Sequence, residues 1–151
     1  MQSAGGDSGT AVARRNASTA RTMTSATPIR HDPGCEIDQE ERYLRATVGP
    51  GLADEVQECY RALANTCLTR QCSRVLVIGI ATIDPFYHIA GRDALRSIAL
   101  AGVPADFRLA LVAKSAMLIA VYDAAVVEAG RLGLEARRFM SEEEAERWLR
   151  A

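Results

Sequence analysis

The sequence predicts an α/β domain built on an open mixed sheet of about five strands with four helices. Between Arg74 and Leu149, three short apolar segments alternate with three longer segments of helical periodicity. Most junctions carry a residue that begins or ends a helix, and this alternation is typical of a parallel sheet. The 151 residues are 48% hydrophobic and 25% charged, which is ordinary for one globular domain.

Residues 1–34 differ in composition, and we predict a disordered tail rich in Ser, Ala and Arg. This segment has almost no large apolar side chains, so it cannot offset the entropy lost on ordering. Its few acids and many arginines also fit an organellar transit peptide, and a start at Met23 is a further alternative. Pro33 and Gly34 mark the boundary of the predicted domain, residues 35–151.

An antiparallel hairpin is predicted to open the domain. It joins Cys35–Asp38 to Tyr43–Val48, because the second segment alternates apolar and polar residues. The first helix follows Gly51. Its apolar side chains recur at helical spacing on one face: Leu52, Val56, Cys59, Tyr60, Leu63 and Cys67.

The centre of the chain predicts a buried strand followed by a helix. Val75–Ile80 is continuously apolar and rich in β-branched residues, as in strands that are covered on both faces. Asp84 suits the N-cap of the second helix and Pro85 its first position. Gly102 follows the end of this helix.

Two further strands and two helices complete the predicted domain. Phe107–Val112 and Leu134–Phe139 are the strands, and a third helix of residues 115–131 lies between them. Ser141 and Glu144 have the spacing of a capping box, which predicts the start of the last helix.

The third helix is apolar nearly all round its first two turns, from Ala116 to Tyr122. A helix of this kind is normally buried on more than one side. Another subunit or the helix's own neighbours in the domain would each provide that burial.

Charge and cysteine usage exclude several functions. A net charge of −1, from 18 basic and 19 acidic residues, gives no basic face for nucleic acid. No segment is apolar for long enough to span a membrane, and no secretory signal is present, so a cytoplasmic location is predicted. The four cysteines lack the spacing of a metal site and are predicted to be reduced, mostly buried thiols. No metal or cofactor is expected.

Catalytic motifs are also missing. The chain has no glycine-rich phosphate loop after a strand and no nucleophile elbow. His88, with Asp84 as its acid or base partner, is the remaining candidate for catalysis. The sequence therefore favours a protein that is not an enzyme, with no assigned catalytic residue.

The best candidate site follows the central strand. Asp84, Phe86, Tyr87 and His88 lie where the carboxyl end of that strand meets a helix, the usual ligand crevice of open α/β sheets. Successive helical side chains spread around the axis, so they cannot all be buried in one core. We predict that these four residues contact a partner or ligand, together with two residues of the third helix, Met117 and Tyr122.

The closing segments resemble a known family. Phe107–Val112, Tyr122, Gly133–Phe139 and Glu144–Leu149 are similar in order and type to the ending of small bacterial SpoIIAA-like, or STAS/SEC14-like, proteins. The resemblance covers roughly residues 35–151. It implies the STAS fold, which is shared by anti-sigma-factor antagonists and the cytoplasmic tails of sulfate transporters.

Antagonists of this family are phosphorylated on a serine just after the central strand. The matching positions here hold Pro85 and Phe86, so the resemblance implies a module without that serine. It implies a regulatory or protein-interaction module that binds a partner protein or itself. The SEC14-like side of the family implies the alternative, a carrier of a small apolar, lipid-like ligand.

Overall fold

The structure, a computed structural model, describes residues 26–32, 34–81 and 87–151. Within these ranges only the backbone is described at residues 32, 53 and 87–90. The strands are β1 (Thr27–Asp32), β2 (Cys35–Gln39), β3 (Leu44–Val48), β4 (Arg74–Gly79), β5 (Arg108–Ala113) and β6 (Glu135–Phe139). The helices are α1 (Ala53–Thr69), α2 (Tyr87–Leu100), α3 (Ala116–Arg131) and α4 (Glu142–Arg150).

The described strands form one sheet whose spatial order follows the chain from β1 to β6. The first three strands pair antiparallel, and β3 to β6 pair parallel. The predicted mixed sheet with an antiparallel hairpin and four helices is therefore confirmed, with six strands rather than about five.

The additional strand is β1, which corrects the predicted domain boundary. Residues 27–32 were expected in the disordered tail, but they pair with β2 through registers such as Arg30 opposite Ile37. An edge strand needs little apolar surface of its own, because backbone hydrogen bonds and one side chain, Ile29, attach it to the core. Composition therefore gave no sign of it. Residues 1–25 lie outside the described residues.

The sheet separates two layers of unequal size. Along β4, Val75 and Val77 face the main core under α1, α2 and α3. Leu76 and Ile78 point the other way, into a smaller cluster under α4. Alternation of side chains along a strand thus produces two buried faces, as the continuously apolar sequence predicts.

A cap stabilises the start of α4, and ion pairs attach this helix to the smaller face of the sheet. The Ser141 hydroxyl accepts from the Glu144 amide at 3.3 Å, as the capping box predicts. The Glu142 carboxylate pairs with Arg45 and lies 3.0 Å from Lys114 Nζ. Burial would raise the pKa of Glu142, but hydrogen bonds from Lys114 and Arg45 outweigh it and lower the pKa.

The cysteines differ from the prediction. Cys35 and Cys59 form a disulfide that joins the start of β2 to α1, with both residues buried. Helical periodicity placed Cys59 on the buried face but could not reveal its partner. Cys67 and Cys72 are free, and burial, with a contribution from Cys72, raises the pKa of the Cys67 thiol to about 11. The prediction of inert thiols therefore applies to this second pair only.

Most described helix ends agree with the sequence. Gly102 and Gly133 have φ of 78° and 79° just beyond α2 and α3, in the left-handed region that glycine favours. Ser115 occupies the N-cap of α3, but its side chain makes no capping hydrogen bond. The predicted start of α2 at Asp84 and Pro85 lies outside the described residues.

The disulfide closes a loop across a sequence separation of 24, so we expect its removal to cost about 3 kcal/mol of stability. The double variant Cys35→Ser, Cys59→Ser should lower the urea midpoint accordingly in equilibrium unfolding. Cys72→Ser, which leaves the bond intact, is the control. Labelling of four thiols in the unreduced, denatured wild-type protein would contradict the assignment.

Candidate functional site

An apolar cavity of about 290 Å³, partly open to solvent, lies between α2, α3 and the sheet, with side chains of α1 also in its lining. Side chains from α1 and the sheet that line it are Tyr60, Leu63, Val77, Leu109 and Leu111. Residues of α2 that line it are Gly91, Arg92, Ala94, Leu95 and Ile98. Residues of α3 that line it are Ala120, Val121, Tyr122, Ala124, Ala125 and Glu128.

The cavity exists because α2 and α3 face each other with small side chains. Gly91 and Ala94 come from α2, and Ala120, Ala124 and Ala125 come from α3. A side chain added at Gly91 would meet no atom within 4 Å. Ala120 and Ala124 on the cavity wall are exposed, so the cavity opens to solvent beside α3, where another molecule can enter. A cavity of this size is therefore a candidate for occupation by another molecule.

Two tyrosines line the end of the cavity nearest the carboxyl edge of the sheet. Tyr60 and Tyr122 are 7% and 2% exposed, and their hydroxyl oxygens are 3.4 Å apart. Gly79, the last residue of β4, allows this approach. A Cβ atom at Gly79 would overlap the Tyr122 hydroxyl and lie 2.9 Å from Leu118 Cδ1. The hydroxyls therefore lie at the carboxyl edge of the sheet.

Charged groups lie toward the other end of the cavity. Glu128 follows Tyr122 by six residues on α3, which places it about 9 Å further along the helix axis. Its carboxylate lies 3.6 Å from Arg131 Nη1 and 3.9 Å from Arg96 Nε. Arg92, an exposed residue of α2, also borders the cavity. The walls between the two ends are apolar.

The structure separates the predicted site residues. Tyr122 lies in the cavity wall, whereas Met117 is 59% exposed and does not line the cavity, which corrects the expectation that it lies beside Tyr122 in one site. Met117 is five residues before Tyr122, so the two side chains point in different directions from α3. Asp84 and Phe86 lie outside the described residues. Tyr87 and His88 are described by backbone only, at the start of α2.

A second feature is a set of exposed apolar side chains at the carboxyl edge of the sheet. Each of the four parallel strands is followed within four residues by one of them, at 58%, 41%, 59% and 66% exposure: Leu52, Ile80, Met117 and Met140. We call these four residues the carboxyl-edge set. Exposed apolar side chains at one edge of a sheet are a candidate interaction surface.

The apolar surface of α3 is consistent with burial by its neighbours in the domain and with burial by another subunit, the two alternatives that the sequence left open. Leu118, Tyr122 and Ala129 are buried within the domain, and Met117 and Val127 are more than half exposed. The neighbours of α3 thus cover one side, and part of its apolar surface is left on the outside.

Among the described residues, no group of three or more His, Cys, Asp or Glu side chains could hold a metal ion. None of the helices in the described ranges combines the length and apolarity needed to cross a bilayer. The acid–base hypothesis for His88 and Asp84 stays a prediction, because neither side chain is described.

The prediction did not include Tyr60, Gly79 or the small residues of α2 and α3. Tyr60 was identified only as part of an apolar helical face. A signal was nevertheless present, since Ala120 and Ala124 lie four residues apart on one face of α3. Small residues on two helices that pack together indicate either close approach or unfilled space, and the sequence does not distinguish these.

Comparison with known proteins supports the fold alone. No family model matches the chain, and no curated protein matches it. A crystal structure from Shewanella loihica is similar, with a TM-score of 0.50 and 16% identity, over 82% of this chain and 94% of that one. That protein is described as an uncharacterised member of the DUF3478 family with a SpoIIAA-like fold. The present chain therefore has a SpoIIAA-like fold, as the resemblance implied.

We expect Gly79→Ala to destabilise the protein by about 1–3 kcal/mol, because the new methyl group forces Tyr122 out of its position. The loss should be smaller when Tyr122→Phe removes the overlapping oxygen, as measured by a double-mutant cycle in urea. Gly130→Ala is the matched control. Its Cβ meets no atom within 4 Å, and alanine favours the helix. Equal losses of stability in Gly79→Ala and Gly130→Ala would contradict the close packing of Tyr122 against Gly79.

Proposed function

We propose that this protein is a non-enzymatic binding module that holds a small, uncharged apolar molecule between α2, α3 and the sheet. The observation that carries the proposal is the 290 Å³ cavity with its apolar wall. The size of the cavity, the character of its wall and the pairing of its charges each support this function.

The cavity volume sets the size of the ligand. An apolar cavity of about 150 Å³ holds benzene, so 290 Å³ accommodates roughly a dozen non-hydrogen atoms. This volume lies near the lower end of the range for small-molecule sites. The ligand is therefore comparable to a two-ring aromatic or a medium-length hydrocarbon, and a whole phospholipid would not fit.

The wall sets the chemical character of the ligand. Leu95, Leu111 and Val121 present only hydrocarbon to the cavity, so water against this part of the wall finds no hydrogen-bond partner in these side chains. A ligand that covers this surface gains about 25 cal/mol for each Å² removed from water. The cavity thus favours an apolar molecule over solvent.

The charged groups support an uncharged ligand. Glu128 is 16% exposed and already paired with Arg96 and Arg131. A charged ligand at this end would compete with these existing ion pairs. A cationic one would have to displace an arginine, at a cost in desolvation.

We expect the full chain to bind naphthalene with a dissociation constant of order 10 µM, measured by equilibrium dialysis with naphthalene fluorescence. This dissociation constant assumes a binding free energy of about 0.7 kcal/mol for each non-hydrogen atom of the ligand, which is usual for small ligands. Ala125→Phe, which adds a ring inside the cavity, should weaken binding at least about tenfold.

Ala116→Phe is the matched control, since it makes the same change on the same helix outside the cavity lining. Circular dichroism and unfolding midpoints verify that both variants fold. Equal binding by Ala125→Phe and Ala116→Phe would show that naphthalene binds elsewhere.

The carboxyl-edge set favours a second function, a protein-interaction module that associates with another copy of itself. Four large apolar side chains at successive strand ends form a surface that one two-fold axis can pair with an identical surface. The SpoIIAA-like fold and the expected regulatory role are compatible with this function. A cytoplasmic location stays a prediction, and the disulfide argues against it because such bonds persist in oxidising compartments.

In this second function, Met117→Glu should raise the dimer dissociation constant at least about tenfold, because each interface would bury two unpaired carboxylates. Analytical ultracentrifugation over a range of concentrations measures the constant. Leu100→Glu is the control. It alters a residue that is 88% exposed at the last position of α2, away from the carboxyl edge. A wild-type protein that stays monomeric at all concentrations would exclude self-association.

A further inference from the structure

We propose that Gly91 determines which apolar molecules the cavity accepts, because the ligand occupies the space where any other residue would place its side chain. The inference rests on the proposed function, since it concerns the same cavity. It goes further by naming the residue that sets the size of the ligand. A molecule with two rings uses the space beside Gly91, whereas a molecule with one ring does not need it.

Glycine is an unfavourable residue at this position of the chain. Gly91 is the fifth residue of α2, which spans Tyr87–Leu100. Inside a helix, glycine is less favourable than every other residue except proline, because its backbone loses the most freedom on folding. The sequence therefore gives up helix stability at Gly91, and this loss needs a reason.

Neither of the usual structural reasons for glycine applies at this position. Among the described residues, the glycines with a left-handed backbone are Gly34, Gly102 and Gly133. A close approach like that at Gly79 is also absent. A Cβ atom built on Gly91 meets no atom of the described residues within 4 Å outside its own helix backbone. The unliganded protein therefore has room for a side chain here.

The open space beside Gly91 belongs to the cavity and not to the outer surface of α2. Ala94, Leu95 and Ile98 follow Gly91 by three, four and seven residues, which places all four on one face of the helix. Leu95 and Ile98 are each 4% exposed, and all four residues line the cavity. A side chain at position 91 would consequently project into the cavity.

The volume of such a side chain is large compared with that of the ligand. Leucine has four more carbon atoms than glycine, whereas the cavity accommodates roughly a dozen non-hydrogen atoms. Space for about eight atoms would remain, which is enough for the six of benzene but not for the ten of naphthalene. Gly91 thus makes the difference between a site for one ring and a site for two.

The test measures the binding of benzene and naphthalene to the full chain by equilibrium dialysis in sealed cells. The wild-type protein should bind naphthalene about 100-fold tighter than benzene, because both gain similar free energy for each non-hydrogen atom. Gly91→Leu should weaken naphthalene binding at least about tenfold and leave benzene binding within about threefold of the wild type. The same variant should raise the urea midpoint of the unliganded protein, because leucine favours the helix and fills open volume.

Gly130→Leu is the matched control. Gly130 is also a helical glycine whose added Cβ meets no atom of the described residues within 4 Å, but it is exposed near the end of α3, outside the cavity lining. This variant should bind both probes as the wild type does. Gly91→Ala tests the same position with the smallest side chain. It should also raise the urea midpoint, and it should reduce the preference for naphthalene by less than Gly91→Leu does.

Each other outcome overturns the inference. Equal naphthalene affinity in the wild type and in Gly91→Leu would show that the ligand does not use the space beside Gly91. A similar loss of affinity for both probes would show that the substitution disturbs the cavity without selecting by size. A lower urea midpoint in Gly91→Ala would show that the position is already packed. If the wild-type protein binds neither probe, the proposed function itself fails, and this result is distinct from a change in one variant.

Discussion

The hand of the crossovers between parallel strands determines where the helices of this protein lie. Such connections are right-handed almost without exception. Because β3 to β6 follow one another across the sheet in chain order, α1, α2 and α3 must all pack on the same face. Of the helices in the described ranges, α4, which follows the last strand, is the one that covers the other face. The candidate site is a consequence of this three-helix layer.

The packing within that layer explains why one part of it is open. Helix α1 contributes large side chains to the main core, including Leu63 and Tyr60. Between α2 and α3 the facing residues include one glycine and four alanines, and the sheet beneath presents residues such as Leu109. Two helices that sit side by side on a sheet keep a separation set by the strands below them. Small side chains there leave space that the backbone cannot close.

Much of the fold was predictable because it depends on local periodicity. The apolar run after Arg74, the capping box at Ser141 and the glycines after α2 and α3 are each sufficient to identify an element. The strand β1 and the Cys35–Cys59 bond were not predictable in this way. Both depend on a pairing between distant or weakly apolar segments, which composition and spacing do not specify.

The site was predictable only in part, for a related reason. The carboxyl edge of β4 follows from topology, and Tyr122, one of the predicted site residues, lines the cavity. The cavity itself is a property of two helix faces and a sheet taken together. Gly79 shows most clearly what cannot be predicted from local sequence. Its role depends on the hydroxyl of Tyr122, which lies 43 positions later in the chain.

The most direct measurement is a methyl NMR spectrum of the full chain, with assigned Leu, Val and Met methyl groups, titrated with naphthalene. We predict shifts centred on the cavity methyls of Leu95, Leu111 and Val121. Shifts confined to the Met117 and Met140 methyls would place the apolar contact at the carboxyl edge of the sheet. That result, or a spectrum unchanged at saturating naphthalene, would contradict the proposal that this protein holds an apolar molecule between α2 and α3.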